Sequence, residues 1–238
     1  MKALLRLGLL VVCAFVLLQL FFVLRIALMA GVDPESTAFQ RSEAWRLANS
    51  AQGLRWRQQW VDYGHIAETL KRAVVASEDD GFSEHGGVQW QAVESAWERN
   101  QRAQARAEKS SSSRPPKIYG GSTITQQLAK NLLLSGERSL LRKGQELVLT
   151  QALELFLSKQ RILEIYLNSV EWGEGVFGAE AAARHYFRKS AAQLTAAEAA
   201  RLAVMLPQPK RFEKLPNSAY LLQRTRVVMG RMKEASLP

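Results

Sequence analysis

At 238 residues the chain is long enough for one sizeable domain plus an appendage. Its 32 Lys and Arg against 22 Asp and Glu leave a formal net charge of +10, a surplus that suits nucleic acid, anionic lipid or an anionic substrate. The single cysteine, Cys13, excludes an intrachain disulfide, and the sequence carries no Cys/His metal pattern.

Between Arg6 and Arg25 the residues Leu7 to Leu24 contain no charge and one strongly polar side chain, Gln19. As a helix they extend roughly 27 Å, close to a hydrocarbon core, and predict a transmembrane span. A secretory signal has a shorter apolar region and a small-x-small cleavage site, which Leu28-Met29-Ala30 does not supply. Residues 1–30 therefore read as a cytoplasmic stub and uncleaved anchor. Lys2 and Arg6 favour a cytoplasmic N-terminus, opposed by Arg25, and the rest of the chain then lies on the extracytoplasmic side. That placement argues against nucleic acid as a partner and turns the positive charge toward phospholipid head groups or a lipid-linked phosphate. Residues 31–62, with Trp45, Trp56 and Trp60 among Arg46, Arg55 and Arg57, form a juxtamembrane connector, either interfacial or packed on the main domain at 63–238.

From Ile66 to Asp79 the apolar positions Ile66, Leu70, Ala73 and Val74 recur at helical spacing, and Glu78 falls at the edge of that face. Asp79 and Asp80 follow, so three carboxylates crowd a helix end where the dipole disfavours negative charge. Repulsion and partial burial would raise at least one carboxyl pKa, as a general acid or base working near neutrality requires; the competing reading is solvated charge. His85, in the loop Phe82 to Val88, reads as a backbone-bonded histidine. A short amphipathic helix is predicted over Gln89 to Trp97. The charged, then serine-rich stretch from Glu98 to Lys117 is predicted to be a mobile loop.

Gly120-Gly121-Ser122-Thr123-Ile124-Thr125-Gln126-Gln127-Leu128-Ala129-Lys130-Asn131 reads as a loop opening a helix. Such a start favours an anion, with Lys130 adding a full charge, although the composition also fits an ordinary capped surface helix. It is no nucleotide P-loop, because no Gly-Lys-Ser/Thr follows at the required spacing. Ser139 to Asn168 is the longest helical pattern, with Glu146, Leu149, Leu153, Phe156, Leu157, Leu163 and Leu167 on one stripe. An acid there is either half of a buried ion pair, with Arg142 one turn earlier, or a site residue. Glu164 reads as structural. After Gly173, Gly175 and Gly178 come an alanine-rich helix over 179–187, a helix capped by Thr195 and Glu198 that runs to Leu206, and a basic amphipathic helix from Tyr220 to Glu234. Strand-like alternation is scarce, so the fold is predicted to be mainly α.

In this order the motifs resemble those of the peptidoglycan glycosyltransferases, most closely the monofunctional biosynthetic transglycosylases of Gram-negative bacteria. The resemblance rests on Glu78-Asp79-x-x-Phe82-x-x-His85-x-Gly87, Gly120 to Asn131, Arg142-Lys143-x-x-Glu146 and Lys159-x-x-Ile162-Leu163-Glu164-x-Tyr166-Leu167-Asn168. Gly173-x-Gly175-x-x-Gly178-x-x-x-Ala182 and Leu194-x-x-x-Glu198-x-Ala200 continue it, over roughly residues 63–212, while the stretch 98–117 is longer and more polar than usual. What the resemblance implies is a lysozyme-like helical domain behind one transmembrane helix, single-pass in the inner membrane with the catalytic domain in the periplasm. The implied reaction polymerises lipid II onto the growing glycan chain, with inversion and release of undecaprenyl pyrophosphate.

By the same carry-over Glu78 is the catalytic base and Glu146 the second carboxylate, which either organises cations or helps hold a divalent Mg or Mn ion; Glu78 is the other metal candidate. Lys130, Arg138 and Arg142 with the helix start at Ser122 would cradle pyrophosphate. Ser122, Thr123, Gln126, Gln127 and Asn131 would bond sugar or phosphate. No organic cofactor is implied. Without Ser-x-x-Lys or Lys-Thr-Gly the expectation is polymerisation without cross-linking. Expected partners are membrane lipid and proteins of cell-wall synthesis or division. Two other readings stay open at this point: a peptidoglycan-cleaving enzyme of lysozyme-like fold, and a non-catalytic anchored scaffold.

Overall fold

In the computed structural model the described residues are 2–51, 53–109, 120–134, 136–137 and 139–238. Helix α1, Lys2–Leu28, has a mean hydropathy of 2.9 over an 18-residue stretch and is long and apolar enough to cross a membrane. Its first turns expose their leucines, whereas its last turns dock on the domain, with Phe22, Ile26 and Met29 joining the core. Gln19 and Gln145 exchange amide hydrogen bonds of 3.2 and 2.8 Å. A polar side chain inside an apolar span is costly unless paired, and here the pairing partner belongs to the main domain.

The connector is woven into that domain. Thr37 and Gln40 form a capping box that starts α2, Ala38–Ala48. The short strand β1, Arg57–Gln58, precedes the first core helix, α3, Glu68–Glu78, which buries Leu70, Ala73, Val74 and Val75. Next come α4, Trp90–Lys109, and α5, Ile124–Leu133. Helices α6, Leu140–Phe156, and α7, Lys159–Ser169, lead into the strands β2, Glu171–Gly173, and β3, Val176–Phe177. The chain closes with α8, Ala179–Phe187; α9, Ala196–Met205; α10, Pro209–Lys214; and α11, Ala219–Arg231. The sheet order is β1-β3-β2, with β1 parallel and β2 antiparallel to β3, and Trp56 stacks on Phe177 at 4.4 Å. Strands of two or three residues are too short to show a period-2 pattern, which is why the sequence hides them.

Packing sorts the helices into two groups. Helix α9 lies between α3 and α11, while α5 contacts α6, α7 and α2, and α1 lies along α6. The buried alanines of α8 allow close approach to α7 and the strands. Gly178 must be glycine, because its φ is +84° and a Cβ would come within 2.7 Å of the Asn168 carbonyl oxygen.

Two expectations need correction. The charged stretch after Trp97 is helical as far as Lys109, because Glu, Arg, Gln and Ala are good helix formers and Glu98 pairs with Arg102 one turn on at 2.9 Å. Residues 110–119 of the predicted loop lie outside the described residues. The long pattern from Ser139 to Asn168 is two helices. Leu157 is extended, and the Ser158 hydroxyl accepts the Arg161 N–H at 3.2 Å, so an N-cap interrupts the stripe. Phe156, ahead of that break, stays 40% exposed.

Candidate active site

Three consecutive carboxylates at the end of α3 part company in space. Asp79 is buried; one oxygen accepts the Ile124 N–H that opens α5 at 2.9 Å, and the other accepts from His85 Nε2 at 2.8 Å. Because His85 Nδ1 accepts the Gly87 N–H at 3.1 Å, the ring proton sits on Nε2. Asp79 therefore caps a helix and staples the end of α3, the 82–88 loop and α5 together. Burial pushes its carboxyl up, while His85 and the Ile124 N–H pull it back. Asp80 is turned outward and pairs with Arg231 of α11 at 2.6 Å.

Glu78 is left half-buried at the wall of a cleft of about 160 Å³, together with Gln89, Gly121, Ser122 and Arg231. Its Oε2 accepts a hydrogen bond from Gln127 Nε2 at 3.0 Å, and Gln127 Oε1 in turn accepts from the hydroxyl of the fully buried Tyr166 at 3.0 Å. No cation pairs with Glu78 among the described residues. Burial raises its carboxyl above the ordinary value, the Gln127 and Ser77 hydrogen bonds oppose that, and the Asp79 charge adds to it.

Gln127 also lines a second, larger cleft of about 430 Å³ with Lys130, Asn131, Arg142 and Glu171. Glu146 stands behind Arg142, 3% exposed, with Arg142 Nη1 on Oε2 at 2.8 Å and Lys143 Nζ on Oε1 at 2.5 Å. Its burial matches the stripe reading, and Arg142 is the partner expected one turn earlier. Both carboxylate oxygens are occupied by cations. The surroundings of Glu78 favour its neutral form, the opposite of what a cation ligand needs, and among the described residues no three His, Cys, Asp or Glu side chains converge. These residues do not fit a divalent ion as they stand.

The other predicted residues divide by position. Ser122 is exposed at the Glu78 cleft. Thr123 and Gln126 are buried, and their side chains close a reciprocal capping box at the start of α5; the Thr123 hydroxyl also donates to the Gly87 carbonyl at 2.6 Å. They build the helix start, and Thr123 also lines the Glu78 cleft. Arg138 lies outside the described residues. Glu164 is structural as expected, accepting the Tyr63 N–H and pairing with Arg161, each at 2.7 Å. Three residues at the site escaped sequence reasoning: Tyr166, buried behind Gln127, and the wall residue Glu171 read as ordinary parts of a helix and a glycine-rich turn, and the wall residue Arg231 as one of several basic residues in the last helix. None carries a local signal, since each acquires its role from a partner far along the chain.

The transglycosylase family model matches residues 46–233, which span the whole constellation from Glu78 to Arg231. The chain belongs to the transglycosylase family. A biosynthetic peptidoglycan transglycosylase of Paraburkholderia xenovorans strain LB400 is 51% identical over 232 residues, 98% of this chain and 92% of the relative. Those of Burkholderia pseudomallei strain K96243 and Bordetella pertussis strain Tohama I are 52% identical over 225 residues and 51% over 228; the matches cover 94% and 96% of this chain and 84% and 91% of the relatives. The protein is thus a peptidoglycan glycosyltransferase that builds glycan strands, and the cleaving and scaffold readings fall away. In this transglycosylase the acid and the cations lie along two clefts that share Gln127.

Proposed function

We propose that the transglycosylase polymerises lipid II, with the growing chain as donor, the incoming lipid II sugar hydroxyl as acceptor and undecaprenyl pyrophosphate as leaving group. The observation that carries this reading is Gln127: its amide fixes the one oxygen of Glu78 while its side chain also lines the cleft that holds Lys130 and Arg142. A base and a set of cations are thereby held on either side of one glutamine.

In the reaction the acceptor hydroxyl gives its proton to Glu78 as its oxygen forms a bond to the anomeric carbon. The anomeric C–O bond to phosphate breaks on the opposite face, and the electron pair leaves with the pyrophosphate. Single-step attack inverts the centre, turning an α-linked donor into a β-linked glycan. The raised carboxyl of Glu78 suits general-base work near neutrality. Charge building on the leaving pyrophosphate meets Arg142 and Lys130, with Glu146 holding Arg142 and Lys143 in place. No step is routed through a metal. Ser122 and Asn131, which face the two clefts, are assigned to sugar or phosphate contacts. With α1 in the inner membrane and its N-terminus in the cytoplasm, the clefts face the periplasm, where lipid-linked substrate would enter from the outer leaflet. The sequence contains no Ser-x-x-Lys or Lys-Thr-Gly, which supports polymerisation without cross-linking.

The test is incubation of the full-length protein in detergent with labelled lipid II, followed by product sizing, linkage analysis and assay of released lipid pyrophosphate. Long β-linked glycan with stoichiometric undecaprenyl pyrophosphate is expected. Retention of the α configuration, or no polymer at all, would remove the reading.

A further inference from the structure

One wall of the larger cleft has no part in the mechanism above. Glu171, in β2, lines that cleft together with the cations, yet its side chain is 7% exposed and its Oε1 makes no hydrogen bond among the described residues. Lys210 of α10 lies 3.3 Å from Oε1 but directs its hydrogen bond to Glu43 of α2, 2.5 Å away. One lysine thus faces two carboxylates. Glu43 is the better served, since Arg46 also bonds it at 2.8 Å. The remaining charged groups around β2 are engaged elsewhere: Arg46 with Glu174, and Glu213 with the Glu174 N–H and with His185, while the Tyr186 hydroxyl donates to the Trp172 carbonyl. Glu171 is left as a buried carboxyl with a half-share of one cation.

The consequence is a group that titrates where the enzyme works. Burial, the largest cause, pushes the Glu171 carboxyl up to about 7; Lys210 opposes this, Glu43 adds to it, and the Gly175 N–H opposes it weakly. An ionised carboxylate facing the cleft would repel a pyrophosphate held by Lys130 and Arg142. A protonated one would not, and it would have an O–H to offer.

We propose that Glu171 is a ligand-contacting wall of the donor cleft, taking a proton from solvent as an anionic pyrophosphate binds and donating its carboxyl O–H to that ligand. This rests on the reading of the cleft as the pyrophosphate site. The proton balance is simple: the carboxylate gains one proton from buffer, no covalent bond changes, and the proton returns to solvent when the pyrophosphate leaves. A carboxyl half-ionised near pH 7 then takes up roughly half a proton per ligand at pH 7 and roughly 0.9 at pH 8.

The experiment is calorimetric titration of the full-length protein in detergent with farnesyl pyrophosphate, at pH 6, 7 and 8, in buffers of different ionisation enthalpy. The wild type is compared with Glu171→Gln, and polymerisation of lipid II is run in parallel. The uptake difference between the two proteins cancels the probe's own titration. The expected result is about half a proton more uptake by the wild type at pH 7, growing at pH 8. Between pH 6 and 8 the wild type should lose about tenfold more affinity than Glu171→Gln. Should Glu171→Gln fold poorly, Lys210→Met reads the same linkage, because removing the cation moves the onset of uptake to higher pH. Equal uptake and parallel pH profiles in all proteins, or no probe binding by a wild type that still makes glycan, would overturn the inference alone. A wild type that makes no glycan from lipid II would instead remove the reading beneath it.

Discussion

Glu78 bonds Gln127 and Glu146 bonds Arg142, two residues that line one cleft, and the surroundings of the two carboxylates are opposite. Glu146 has a cation on each oxygen and almost no solvent contact; Glu78 has an amide, no cation among the described residues, and a cleft in front of it. Two cations fix a carboxylate in place, which suits it to aligning positive charge. A carboxylate deprived of cations and crowded by protein has its proton affinity raised, which suits it to accepting one. The difference supports the proposed roles of base for Glu78 and organiser for Glu146 without appeal to their order in the sequence.

The sharpest way to break this contrast is Glu78→Gln. Polymerisation of lipid II should fall by about 10²- to 10⁴-fold, the usual worth of a general base. The stability change separates a base from a structural acid. The folded carboxyl is raised above its unfolded value, so folding is disfavoured by its ionisation, and that penalty grows as pH rises through the folded value. Glu78→Gln should therefore melt no lower than wild type at neutral pH, measured by thermal unfolding, and a clear drop would mark Glu78 as structural. In the wild type kcat/KM should fall as pH drops through a value above the ordinary carboxylate range.

Glu146→Gln should show the reverse balance. Activity is expected to fall by roughly 10- to 100-fold through weaker donor binding, since Arg142 and Lys143 lose their anchor. Breaking the buried pairs should also lower stability by about 1–3 kcal/mol, visible in denaturant titration. Equal stability with lost activity would instead recast Glu146 as a reacting group.

Tyr166→Phe removes only the hydroxyl that orients Gln127, and should lower kcat by about three- to tenfold with KM little changed. An unchanged kcat would show that Gln127 needs no support from behind. The smallest effect is expected for Gln145→Leu, next to Glu146, which unpairs Gln19. About 0.6 kcal/mol of coupling to the anchor should be lost, read as a modest drop in activity in liposomes with none in detergent.

Much of the helical outline was readable in advance. The cap at Thr195, the alanine helix 179–187 and the buried position of Glu146 follow from spacing and side-chain chemistry within one or two turns. Reading failed where local patterns compete. Good helix formers after Trp97 outweighed low hydrophobicity, and Ser158 interrupted a stripe that continued in hydropathy alone. At Thr123 and Gln126 the sequence leaves two roles open, because a capping box and a polar binding loop use the same residue types, and Thr123 both caps α5 and lines the Glu78 cleft.

The amino-acid sequence by itself determined the apolar anchor, the mainly helical class and the collection of acids and cations, because hydropathy, capping and 3.6-residue periodicity are properties of neighbouring residues. How Glu78, Asp79 and Asp80 are each partnered was decided only by tertiary structure. Their partners Gln127, Ile124 and Arg231 stand 49, 45 and 151 residues away, and it is those contacts that bury one acid as a cap, pair another with a guanidinium and give the third an amide in place of a cation.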